Sequence, residues 1–105
     1  MIVVERPGFG LSDFQKGRTL LDWPEDVIAF ADAIGIARFA VAGNSAGGPY
    51  AAACAFKIPE RVTRAAIVAG LGPTDLAGAI EEMPRVRRAG VAVARRAPWL
   101  LRATL

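Results

Sequence analysis

The fold is decided by the stretch Phe39-Ala40-Val41-Ala42-Gly43-Asn44-Ser45-Ala46-Gly47-Gly48. Its first four residues are apolar without alternation, which is typical of a strand buried on both faces in a parallel sheet. Glycines flank Ser45, and the Ala-rich segment from Tyr50 to Lys57 predicts a helix directly afterwards, closed by Pro59. The stretch therefore predicts a buried strand, a sharp turn that presents Ser45, and a helix.

A second helix is predicted before this stretch, from Asp22 to Gly35. Asp22 is a good N-cap, Pro24 suits the first turn, and Glu25 stands at the position that a capping box requires. Gly35 is a typical residue for the C-terminal end of a helix. The apolar residues of one face recur at helical spacing: Val27, Phe30, Ala31 and Ile34.

Two more strands are predicted, at Ile2–Val4 and at Val62–Ala69. Because helices separate the strands along the chain, the connections are crossovers and the sheet is expected to be parallel. The predicted fold class is therefore α/β, with a short parallel sheet and helices on both faces. After a turn at Gly70–Pro73, helices are predicted over 76–83 and from Pro84 onward.

Composition excludes several kinds of site. The 105 residues contain one cysteine, Cys54, and no histidine. These counts exclude an intramolecular disulfide, a cysteine cluster, a histidine metal site and the usual general base of a serine hydrolase. Capping and a solvated helix face explain Asp22, Asp26 and Asp32 better than a metal site does, so no metal is expected. Without a signal-type segment or a membrane span, the default compartment is the cytoplasm.

Charge divides the chain into two parts. The net charge is +3, yet residues 85–105 carry no acidic residue and six arginines. Those arginines are Arg85, Arg87, Arg88, Arg95, Arg96 and Arg102. The predicted domains are accordingly a core over residues 1–75 and a basic helical segment over residues 76–105.

The turn at Ser45 has the layout that a serine nucleophile requires. The hydroxyl must protrude from a strained strand-to-helix turn, and side chains at Gly43 and Gly47 are expected to collide across that turn. The helix start adds free backbone donors, so the N–H of Ala46 is expected to point at a developing oxyanion. The turn alone is equally compatible with a plain α/β connection or with an anion-binding loop that has no catalytic role.

Three segments together resemble the α/β-hydrolase family. They are Val4-Glu5-Arg6-Pro7-Gly8-Phe9-Gly10-Leu11-Ser12-Asp13, the turn at Gly43–Gly48, and Pro59-Glu60-Arg61-Val62. The resemblance is strongest to the esterase, epoxide-hydrolase-like and peptidase-like branch, and it covers about residues 2–75. Glu5 departs from the pattern, because an aspartate is usual there.

The resemblance implies a catalytic Ser45 and an oxyanion donor at the N–H of Ala46. The residues that it implies in support of the turn are Gly43, Asn44, Gly47 and Gly48. The expected reaction is hydrolysis of a small ester or similar carbonyl substrate through an acyl-serine, without cofactor or metal. A second oxyanion donor, the acid and the histidine are expected outside this chain. Asp75 stands where some relatives keep the acid, but a helix cap is favoured for it.

The resemblance also implies a missing strand between those predicted at Ile2–Val4 and Phe39–Ala42, so these two must pair directly or leave a gap. The chain is therefore expected to be the central part of a larger enzyme, inactive alone. The alternative is a non-catalytic, hydrolase-like scaffold that binds a ligand. For the basic segment a lid over the substrate pocket is favoured over a membrane-surface helix or a nucleic-acid patch. No nucleic-acid partner is expected, and a membrane partner is disfavoured.

Overall fold

The computed structural model describes residues 1–73, 78, 80–81 and 83–97. The chain divides into two compact units, Met1–Leu71 and Gly72–Leu105. The helices and strands of the described residues are α1 (Trp23–Ala33), β1 (Phe39–Asn44), α2 (Gly48–Lys57), β2 (Val62–Val68) and α3 (Arg85–Arg96), with short 3₁₀ turns at Leu20–Asp22 and Ser45–Gly47.

β1 and β2 are adjacent and parallel. Their register runs from Phe39 opposite Val62 to Asn44 opposite Val68, with one irregularity after Phe39. α2 connects the two strands and packs against both, and α1 packs against α2. The structure thus confirms an α/β fold built on a parallel sheet.

The buried apolar core of this unit is small, and most of its residues lie on α2. Its members are Ala31, Ala51, Ala53, Cys54 and Ile58. The prediction that Phe39–Ala42 is buried throughout is wrong, because burial alternates along β1 and both Ala40 and Ala42 are exposed. Successive strand residues face opposite sides of a sheet, and α2 covers one side.

The predicted strand at Ile2–Val4 is also wrong. Residues 1–6 have no regular secondary structure, and Val3 is 81% exposed. An open groove of about 780 Å³, lined by residues 1–4 and by β1, separates this segment from the sheet. A strand requires a hydrogen-bonded neighbour, and here the segment has none within reach. Of the two arrangements expected for these segments, the structure adopts the gap.

The start of α1 follows the sequence pattern, except that the Asp22 side chain bonds Thr19 and does not cap the helix. Asp22 precedes the helix and Pro24 lies in its first turn, as predicted. The Asp22 carboxylate, however, accepts hydrogen bonds from the backbone N–H (2.6 Å) and hydroxyl (2.9 Å) of Thr19, which hold the 3₁₀ turn. The backbone N–H of Thr19 is the larger cause of the lowered pKa of Asp22, followed by the hydroxyl of the same residue. Gly35 ends the helix with φ +72°, as predicted.

Cross-links between elements hold the unit together. Lys57 Nζ at the end of α2 lies 2.8 Å from both Glu25 Oε1 and the carbonyl oxygen of Leu21. Arg61 donates from Nε to the carbonyl oxygen of Ala37 (2.6 Å) and from its terminal nitrogen to Asp32 Oδ1 (2.6 Å). Arg61 thereby joins the end of α1 to the start of β2.

In the second unit, α3 confirms the helix predicted after Pro84. The helix predicted over 76–83 is not found where the structure describes that range: Gly78, Ile80 and Glu81 lie in turns and Met83 in a bend. Its other positions lie outside the described residues. None of the helices described is long and apolar enough to span a membrane.

Candidate active site

Ser45 occupies a backbone conformation that side chains rarely adopt. It follows the last residue of β1 and has φ +50°. For a residue other than glycine, this left-handed region costs about 1–2 kcal/mol. Such strain concentrates at sites where it positions a side chain. The residue is exposed, so its hydroxyl is accessible at the sharp turn between β1 and α2.

Space around the turn requires glycine at two positions. A Cβ added to Gly43 would lie 2.2 Å from the carbonyl oxygen of Gly47, and one added to Gly48 would lie 2.9 Å from Gly70 Cα. A Cβ at Gly47 would meet no described atom within 4 Å. The predicted collision across the turn is therefore confirmed for Gly43 and wrong for Gly47, where a side chain would have free space.

Backbone hydrogen bonds fix the turn and leave a donor at its start. The carbonyl oxygen of Ser45 accepts from the N–H of Gly48 and from that of Leu71 at 3.3 Å. The N–H of Ala46 lies in the first part of the 3₁₀ turn, where backbone donors have no intrahelical acceptor. The start of α2 adds its positive dipole end. Sequence reasoning did not anticipate Leu71, which ties the end of β2 to the turn.

The partners of a catalytic serine are not assembled in the described residues. The sequence contains no histidine, and Asp75 lies outside the residues described. Among those described, no group of acidic, cysteine or histidine side chains could hold a metal ion. Cys54 is 1% exposed, and burial raises the pKa of its thiol, so it is a packing residue as expected.

The N-terminal loop is organised by the residue that departs from the family pattern. Glu5 Oε2 accepts from the backbone N–H of Leu11 at 2.8 Å, and the carbonyl oxygen of Glu5 accepts from Ser12 Oγ at 3.2 Å. A Cβ at Gly10, which has φ +55°, would overlap the Glu5 carboxylate. Glu5 therefore closes the loop, a function that the sequence alone did not indicate.

Comparison with known proteins agrees with this geometry. The profile of the family described as alpha/beta hydrolase fold matches residues 1–98. A 2-hydroxymuconate semialdehyde hydrolase of Pseudomonas putida is 35% identical over 78 residues, which cover 69% of this chain and 26% of that enzyme. The matched part thus spans about a quarter of its relative. No solved structure matches. The strand, the strained serine turn and the family match together show that the chain belongs to the alpha/beta hydrolase fold family.

Proposed function

We propose that Ser45 is the nucleophile of a hydrolase that acts on a small ester or similar carbonyl substrate. The observation that carries the proposal is the left-handed conformation of Ser45 at an exposed strand-to-helix turn, with φ +50°. A serine that served only a plain connection would gain nothing from this strain, and glycine would avoid it.

The proposed reaction has two halves. Ser45 Oγ attacks the carbonyl carbon and gives its proton to a base, while the carbonyl electron pair moves to oxygen, where the N–H of Ala46 donates a hydrogen bond. Collapse of the tetrahedral intermediate expels the leaving group, which takes up the proton, and forms acyl-Ser45. Water then attacks the acyl carbon and releases the acid, which restores the hydroxyl. The reaction as written consumes only water, so the proposal includes no cofactor.

The base that we propose is a histidine outside these 105 residues, since they contain none. The Pseudomonas putida relative is named as a hydrolase of 2-hydroxymuconate semialdehyde, which by its name is a carbonyl compound. This supports a carbonyl substrate here as well. We further propose a cytoplasmic enzyme in which residues 76–105 form part of a lid, without a nucleic-acid or membrane partner.

A chimera tests the proposal. In it, the matching residues of this chain replace the aligned segment of the Pseudomonas putida hydrolase, which supplies the remaining catalytic groups. We expect the chimera to hydrolyse p-nitrophenyl acetate, and Ser45→Ala to lower kcat/KM by at least about a thousandfold. The parent enzyme is the control for the assay, and circular dichroism is the control for folding.

Two outcomes would contradict the proposal. Activity that survives Ser45→Ala would place the nucleophile elsewhere. A folded but inactive chimera would favour the alternative of a non-catalytic scaffold, which the absence of histidine supports.

A further inference from the structure

A small cavity of about 180 Å³ lies in the first unit between the N-terminal loop, the segment before α1, and the first turn of α2. Its lining brings two guanidinium groups, those of Arg6 and Arg18, together with polar and aromatic side chains. The other residues that line it are Pro7, Gln15, Thr19, Trp23 and Tyr50. None of the residues of the turn at Ser45 lines this cavity.

Arg6 is held in place without using its hydrogen-bond donors. Its guanidinium carbon lies 4.4 Å from the ring centre of Phe9 and 4.4 Å from that of Tyr50. Both rings attract the guanidinium through cation–π contacts, which do not use its N–H donors. Within the described residues, the Arg6 guanidinium makes no hydrogen bond and has no carboxylate partner.

The other charged side chains around the cavity are already hydrogen-bonded within the chain. Arg18 pairs with Asp26, donates to the carbonyl oxygen of Asp22 at 3.1 Å, and donates to Gln15 Oε1. The Asp22 carboxylate is used by Thr19. Because Gln15 Oε1 already accepts a hydrogen bond from Arg18, the amide nitrogen of Gln15 remains as a donor. The cavity is therefore rich in donors, and within the described residues those of the Arg6 guanidinium are unused.

We propose that this cavity binds a small carboxylate, held by the edge of the Arg6 guanidinium. A planar carboxylate matches the parallel N–H donors of a guanidinium and forms charge-assisted hydrogen bonds with them. The rings of Trp23 and Tyr50, which meet edge to face with centres 6.0 Å apart, provide apolar surface for a short alkyl chain. The cavity volume is sufficient for propionate or a similar small monocarboxylate.

Nuclear magnetic resonance titration of the 105-residue chain tests this site. The probe is sodium propionate at constant ionic strength, and the neutral isostere propionamide is the comparison. Trp99→Phe leaves Trp23 as the only indole, whose N–H resonance reports on the cavity directly. We expect saturable shifts of Trp23 and Tyr50 with propionate and none with propionamide.

Variants of matched charge locate the binding. Arg6→Gln should weaken propionate binding by about tenfold or more, as expected for loss of a charged hydrogen bond. Arg38→Gln is the control, because Arg38 is exposed and does not line the cavity. Equal responses to propionate and propionamide, linear shifts without saturation, or equal losses in both variants would overturn the proposal. Should Arg6→Gln not fold, the comparison of propionate with propionamide on the unchanged side chains still decides.

Discussion

The position of Ser45 in the turn requires a strained backbone conformation, which lowers the stability of the folded state. Glycine reaches a positive φ without steric cost, so Ser45→Gly should relieve the strain that the φ of +50° imposes. After allowing for the greater chain entropy of glycine when unfolded, we expect the free energy of unfolding to rise by about 1 kcal/mol. Urea denaturation measures the change. Ser45→Ala is the matched control and should bring no such gain; equal stabilities of the two variants would argue against strain at this residue.

The glycines on either side of Ser45 have different reasons to be glycine. Gly43→Ala would place a methyl group 2.2 Å from the carbonyl oxygen of Gly47, so the turn must open. We expect a loss of about 3 kcal/mol in the free energy of unfolding. Gly47→Ala meets no described atom within 4 Å and should change stability little. Comparable losses in thermal denaturation of the two variants would refute this geometry.

Burial of Cys54 makes the thiol a reporter of folding and of pH. Desolvation raises its pKa above the ordinary value of 9.0, because the thiolate would have to form in an apolar surrounding. The native state therefore holds the thiol proton more tightly than the unfolded state does. The stability linked to this group is complete below pH 9.0 and declines as pH rises toward the higher native pKa.

Iodoacetamide alkylation followed by mass spectrometry measures this effect. The native chain should react much more slowly than the chain in urea, and Cys54→Ala should remove part of the loss of stability above pH 9.0. Native and unfolded rates that agree at pH 8 would contradict burial of the thiol.

At the scale of elements, Arg61 connects the end of α1 to the start of β2. Its guanidinium donates to the carbonyl oxygens of Ile36 and Ala37 and to the carboxylate of Asp32. The two carbonyl groups belong to the segment that connects α1 to β1. Arg61→Gln should lower the free energy of unfolding by about 1–2 kcal/mol, because those carbonyls lose a charged donor. Arg64→Gln on the neighbouring exposed part of β2 is the control. Urea midpoints that move equally would show that general charge, rather than this connection, is responsible.

The sequence predicted those elements whose signals are local. The bounds of α1 follow from Asp22, Pro24 and Gly35, and α2 and β2 lie where their patterns placed them. Burial of Phe39–Ala42 and pairing of Ile2–Val4 failed for one reason. Both depend on what lies beside a strand, and an apolar run indicates that a strand can be buried without showing what covers it.

The features of the candidate site likewise fall into those encoded by neighbouring residues and those that depend on distant segments. A glycine-flanked serine after a strand predicts the strained turn, because the chemistry of the turn is encoded within a few residues. The open direction at Gly47, the closure of the N-terminal loop by Glu5 and the contact from Leu71 depend on distant chain segments that meet only in the fold. Local patterns in a single sequence do not predict contacts between segments that are far apart in the chain.

At the scale of the whole molecule, the turn can be complete while the catalyst is not. The hydroxyl of Ser45 is exposed and positioned, but a serine hydroxyl is a poor nucleophile without a base. The 105 residues contain no histidine to take its proton. We therefore expect a fluorophosphonate probe to modify this chain at least about a thousandfold more slowly than it modifies the chimera proposed above. Intact-mass spectrometry follows the reaction, and Ser45→Ala gives the background rate. Rapid, stoichiometric modification of Ser45 would mean that another group in these residues serves as the base, and the requirement for an external histidine would fall.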